Sequence, residues 1–332
     1  MNITNKIKSL FFITALGALV TTTSCKKDHP APEVPPVVVT PTVVGVAQGN
    51  ANFSILVAAV TKAGLVGTLS DLTKNFTVFA PTNAAFEAAG YPLATINGLS
   101  AADVTNVLTP ILTYHVLGAK VLSTGVPASD TVKTLNGLNL FASKNVNGVF
   151  LNGIKVTIPD LGASNGVVHA IDKLLVPPTR TIAATVIASA SAPTPEFSLL
   201  LAAVSRAGLA GVLSGPGKYT VFAPTNAAFI AAGAPFNSAA TIATADSATV
   251  RRIVLSHVIG TNVFASDLTA GGIAPTLNTT PAPGQTLTVS LAPTLGVTIT
   301  GSPAANLAPI VAASANLVQT NGVIHVVSKV IL

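Results

Sequence analysis

A single cysteine, Cys25, leaves no partner for an intrachain disulfide. Charged residues make up only 8% of the chain, and the eleven acidic ones are scattered singly, so no paired carboxylates offer acid–base chemistry. Aromatics reach 5%, the basic residues are dispersed, and only Arg251-Arg252 are adjacent, which removes the usual footprint of nucleic-acid binding. There is no GxSxG elbow and no HExxH. Gly215-Pro216-Gly217-Lys218 lacks the spacing of a phosphate loop and reads as a turn. Mean hydropathy is high at +0.66, yet it comes mainly from Ala and Val spread along the chain. No stretch reaches the roughly 18 apolar residues that a spanning helix needs. Helix-like segments alternate with strands, which disfavours a membrane barrel. The composition predicts soluble globular domains.

What is present is said twice. FTVFAPTNAAFEAAG, from Phe76, returns as YTVFAPTNAAFIAAG from Tyr219, and FSILVAAVTKAGLVGTLS from Phe53 returns as FSLLLAAVSRAGLAGVLS from Phe197. A near-constant offset over such lengths indicates a duplicated unit, and each unit is long enough to close its own core. The N-terminus stands apart. Lys6 and Lys8 precede an apolar core from Leu10 to Val20, the pattern of a secretory signal.

Within a unit the local chemistry predicts mixed structure. Apolar residues at Phe53, Leu56, Val57 and Val60 have helical spacing, with Gly64 and Gly67 marking the end of a helix over 53–69. Phe76–Ala80 reads as a strand stopped by Pro81. Thr82 or Asn83 is placed to cap a helix starting at Ala84, which turns Phe86 inward. A helix over 103–117, a strand over 154–158 and a turn at Asn165-Gly166 feeding residues 167–176 complete an α+β pattern. The histidines fall into matched pairs, His115 with His257 and His169 with His325. His169 shares a strand face with Val167 and Ile171 and reads as a hydrogen-bonded, partly buried side chain. His115 ends a helix, where an imidazole bonds the terminal carbonyls and complements the dipole. No third or fourth ligand accompanies either one, so the spacing suggests no metal site and no cofactor.

The ordered motifs resemble the fasciclin family: FTVFAPTNAAF, the Tyr114-His115 pair in ILTYHVLGAKV, NGVVHAIDKLLVPP, and the leading FSILVAAV helix, each with a counterpart downstream. The resemblance covers roughly residues 41–332. It implies two tandem domains, each a β-sandwich or wedge with helices packed along one edge, and a tendency toward adhesion without catalysis. The residues carrying the signature are Thr77, Phe79, Pro81, Thr82 and Phe86, and Thr220, Phe222, Pro224, Thr225 and Phe229. In the family the tyrosine–histidine element is associated with cell adhesion. Here it stands as Tyr114-His115, while the second copy has Ser256-His257, and it reads either as a contact site or as packing. The segment Thr22-Thr23-Ser24-Cys25 resembles a bacterial lipoprotein signal, with Thr22 where leucine is usual, and implies lipid attachment at Cys25. Loss of Lys6 and Lys8 would lower the net charge from +6 to about +4.

The expected organisation is a signal over 1–24, a Pro-rich tether over 25–42, and domains over 43–178 and 179–332. At about 3.1 Å per residue the proline-rich stretch would hold the first domain roughly 40 Å from a membrane. Lys26-Lys27-Asp28 resembles the export tag of surface lipoproteins, pointing to the outer membrane and cell surface of a Gram-negative bacterium. The expected partner is a protein or glycan on another surface, with the membrane reached through the lipid and no role for nucleic acid. The uncharged run from Leu268 to Ser328 suits neutral contacts such as glycans. Two alternatives stay open: a small-molecule or metal binder, or enzyme, using the histidine pairs, and a structural matrix component.

Overall fold

The computed structural model describes residues 40–279, 284–291, 294–301 and 306–332. Cys25, the apolar N-terminal segment and tether residues 25–39 lie outside them. From Thr40 onward the chain forms one compact unit built from two similar halves.

In the first half, seven strands form one sheet: β1 (Phe76–Pro81), β2 (Val116–Leu117), β3 (Ser129–Lys133), β4 (Asn139–Asn145), β5 (Gly148–Leu151), β6 (Ile154–Ala163) and β7 (Gly166–Ile171), in the order β2-β1-β7-β6-β5-β4-β3. All neighbours are antiparallel except β1 and β7, the first and last long strands, which run parallel with Phe79 opposite His169. Every residue of β1 and β7 is buried, as expected for a parallel pair covered on both faces. Alternation splits their side chains between two cores. Phe76, Val78, Ala80, Val168 and Ala170 pack against the helices, while Phe79 and Ile171 join Tyr114, Leu140 and Leu151 inside the fold of the sheet.

The second half repeats the plan with β8 (Tyr219–Pro224), β9 (Val258–Ile259), β10 (Ile273–Pro275), β11 (Thr286–Ser290), β12 (Gly296–Ile299), β13 (Ala308–Pro309), β14 (Leu317–Gln319) and β15 (Gly322–Val327). Its parallel pair is β8 with β15, and Phe222 stands opposite His325. Here the stretch matching β6 is interrupted by a short 3-10 turn, Ala312–Ser314, so β13 and β14 fall in separate four-stranded sheets.

The helices are shorter than their periodicity suggested. The first long one is Ser54–Lys62, stopped at Gly64 in the left-handed region (φ 68°), and Val66–Leu69 is a separate turn. The helix expected over 103–117 spans Ala101–Tyr114, and Val116–Leu117 is strand β2. Its Val104–Leu108 turn is π-helical, widened just ahead of Pro110, which has no N–H to donate. Strand β1 continues through Pro81, which pairs with Ile171, rather than stopping before it. Strand β6 runs five residues beyond its expected end, with register shifts on either side of Ile158.

Phe79 and Phe222 are 4% and 0% exposed at the centre of their cores. Phe79→Ala and Phe222→Ala should each lower unfolding free energy by about 3–5 kcal/mol, read by urea denaturation followed by circular dichroism. A cost below about 1 kcal/mol in either would contradict this packing.

Candidate functional site

Each signature residue has a bond to make. Thr77 donates its hydroxyl to Ala119 O (2.6 Å) and accepts from Val121 N–H (2.8 Å), clasping the chain that leaves β2; Thr220 repeats this with Thr261 and Val263. Thr82, rather than Asn83, caps the helix Asn83–Ala88 through Ala85 N–H, and Thr225 caps Asn226–Ala232 through Ala228 N–H. Asn83 instead accepts from Ile55 N–H and donates to Ala51 O, tying that corner to the preceding helix. Phe86 and Phe229 are buried beneath it, and Pro224 ends β8 opposite Val327 as Pro81 ends β1.

Tyr114, His115 and His257 are interior residues, 0%, 1% and 3% exposed. As a surface contact the tyrosine–histidine element is therefore corrected. The Tyr114 hydroxyl donates to Asn139 O and accepts from Asn152 Nδ2, both at 2.9 Å. Burial pushes its pKa up to about 12. His115 Nε2 accepts from Leu175 N–H (3.0 Å), so Nδ1 carries the proton donated to Ile111 O (2.8 Å). His257 makes the same two bonds with Ile331 and Ile253. Burial pulls both imidazoles down to about 4. They are neutral at pH 7, which removes the helix-dipole attraction expected of a cation at His115.

The second histidine pair lies across the parallel strands. His169 stacks on Phe79 at 5.8 Å between centroids, and His325 on Phe222 at 5.5 Å. His169 Nδ1 accepts from Asp160 N–H and its Nε2–H donates to Val121 O. Asp160 occupies the left-handed region (φ 61°) at the bulge of β6, and its carboxylate accepts from the N–H and hydroxyl of Ser123. Burial opposes that charge, but the Ser123 bonds outweigh it and hold the carboxyl below its ordinary range. Asn316 (φ 59°) takes the same place in the second half, accepting from Ala265 N–H. Among the described residues no group of three or more His, Cys, Asp or Glu is placed to hold a metal ion.

Sequence reasoning missed the buried asparagines. Asn165 accepts from Val43 N–H and donates to Leu69 O and Asp71 O; Asn321 does the same with Ile182, Leu213 and Gly215. The signal was the Asn-Gly that opens both copies of the last strand, read above only as a turn. The glycine is required by close approach, since a Cβ on Gly166 would lie 2.0 Å from Phe76 O and one on Gly322 2.1 Å from Tyr219 O.

The two halves meet through the β5–β6 hairpin and β4. Phe141 packs on Phe264 at 4.9 Å, Ser143 Oγ donates to Asp267 (2.6 Å), and Asn145 Nδ2 donates to Ser266 O (2.8 Å).

The family model described as fasciclin domain matches residues 51–177 and 195–332. Protein sll1483 of Synechocystis is 43% identical over 137 residues, which are 41% of this chain and 74% of that protein. The transforming growth factor-beta-induced protein ig-h3 of Sus scrofa is 40% identical over 141 residues, 42% of this chain but 20% of its own length. A solved FAS1 domain pair from the insect cell adhesion molecule fasciclin I aligns over 86% of this chain and 98% of that one, at 18% identity and a TM-score of 0.38.

Two outcomes follow from the buried polar groups. His115 and His257 titrate near 6.5 when unfolded and near 4 when folded, so between these values the unfolded chain binds more protons. Stability should be constant above pH 7 and fall as pH drops from 6.5 to 4, by about 1.4 kcal/mol per pH unit per histidine. Lowered carboxyls such as Asp160 add their loss only below about pH 4. His115→Gln should flatten the slope measured by thermal melting, and an unchanged slope would refute the assignment. Tyr114→Phe leaves Asn139 O and Asn152 Nδ2 without their partner, at a cost of about 1–3 kcal/mol; an unchanged melting temperature would show those bonds to be idle.

Proposed function

We propose a role from one premise, that this chain belongs to the fasciclin-domain family through both of its halves: it is a non-catalytic adhesive protein that binds a protein or glycan on another surface. The observation that carries the reading is the fate of the histidines. Both nitrogens of His115, His169, His257 and His325 are engaged with main-chain groups. The side chains best suited to acid–base work or metal ligation thus serve as internal struts. Binding falls to the outer surface, which suits adhesion better than turnover. Attachment through a lipid on Cys25, with the proline-rich segment as spacer, would display both domains at the outer membrane of a Gram-negative cell.

Expression of the full chain and of Cys25→Ser in a Gram-negative host fed labelled palmitate tests both parts. The wild type should incorporate label and make cells adhere to an immobilised matrix, and the variant should do neither while keeping the same circular dichroism. Label on the serine variant would overturn the anchor. Wild-type cells that adhere no better than cells lacking the protein would overturn the adhesive role.

A further inference from the structure

We propose that the cleft between the two halves binds an acidic oligosaccharide, with anionic groups taken by Lys173, Arg180 and Lys218 and hydroxyls by Thr131 and Asn262. This deepens the adhesive reading and rests on it for its biological sense.

Two openings occur at the junction, of about 450 Å³ and 200 Å³, and they share Asn152, Pro178, Val318 and Gln319 as walls. The larger lies within the size range of small-molecule sites, roughly 300–1,000 Å³. In a chain with so few charges, three cations line this region: Lys173 and Arg180 in the larger opening and Lys218 in the smaller, with no Asp or Glu in either wall. The main chain at Arg180 is pinned, its carbonyl accepting from both the N–H and hydroxyl of Thr320. Among the described residues no ion pair engages any of the three cationic heads. A recess lined by one sign of charge focuses its field on an incoming anion, and a guanidinium presents two parallel donors to carboxylate or sulfate.

The second observation is independent of charge. Three buried side-chain atoms lack a hydrogen-bond partner among the described residues, and two of them, Thr131 Oγ1 and Asn262 Oδ1, belong to walls of the smaller opening. A buried polar atom without a partner is costly, so a ligand hydroxyl reaching either one gains a bond the protein leaves unmade. Anions and hydroxyls on one molecule describe an acidic sugar. Nucleic acid fits less well because base stacking needs a free aromatic face. The two phenylalanines in this wall, Phe141 and Phe264, are packed on each other.

The purified full chain would be titrated calorimetrically with three probes: hexagalacturonate, a heparin-derived hexasaccharide and neutral maltohexaose. We expect one acidic hexamer to bind, more weakly as salt rises, and the neutral one not to bind; which acid wins separates carboxylate from sulfate recognition. Arg180→Gln combined with Lys218→Gln should weaken binding at least tenfold without moving the melting temperature. Thr131→Val should weaken it with the salt dependence unchanged. Equal binding of the neutral hexamer, tighter binding of a single-stranded DNA oligomer, or full affinity in the double variant would overturn the proposal. If neither acidic hexamer binds while cells still adhere, the cleft assignment fails and the adhesive role stands. If a hexamer binds and cells never adhere, the reverse holds.

Discussion

Each half depends on a parallel pairing between a strand near its start and one near its end. Parallel neighbours need a long crossover, and here almost the whole domain is that crossover. Strand β1 meets β7 after some eighty residues have been spent on helices and the rest of the sheet. Such a closure gains little until both strands are in place, so it needs fixing at one point. Asn165 supplies that point: its carbonyl accepts the Phe76 N–H that begins the register, while its side chain ties in the first helix and the segment before β1. Gly166 lets the backbones approach, and the Phe79–His169 stack sits midway along the pair.

That closure explains why polar residues recur in so apolar a chain. Thr77, Asn165, His115 and His169 are buried, yet each bonds to main-chain groups of loops that no ladder reaches. Buried main-chain donors and acceptors must be paired, and irregular segments beside a sheet cannot pair with themselves. The histidine is suited to this because its two ring nitrogens point to opposite sides, one donating and one accepting. It therefore bridges two segments, at the cost of remaining neutral well below pH 6.5.

The duplication, the α+β class and the strand–cap–helix corner were legible because they are local. Thr82 and Phe86 are read from their immediate neighbours. Asn165 was not legible as a hub because its partners lie up to 122 residues away and no periodicity reports them. Asp160 gave a fainter local hint, a Pro-Asp within a strand pattern, which marks a bulge once β6 is known to continue. Asn152-Gly153 was a plain hairpin signal: both adopt positive φ, 49° and 77°, as a tight two-residue turn requires. Periodicity also overran the helices, because Val116 and Leu117 continue an apolar pattern while pairing with β1.

The difference between the copies at Tyr114 and Ser256 has a structural cause in the hairpin. Asn152 donates to the Tyr114 hydroxyl and accepts from Phe141 N–H, and Phe141 is the ring that packs on Phe264 of the second half. Gly153, next in the turn, lies so close to that half that a Cβ would come within 2.7 Å of Asn316 Nδ2. Tyr114 thus braces from inside the turn that forms the junction. In the second half β12 ends at Ile299 and β13 begins at Ala308, so no two-residue turn exists there to brace. Ser256 instead donates to Arg252 O and accepts from Asn278 Nδ2, a local bond within its own half. An aromatic at the helix end is therefore needed only in the copy whose hairpin meets the other domain, and its link to adhesion in this chain runs through the geometry of the junction rather than through contact with a partner.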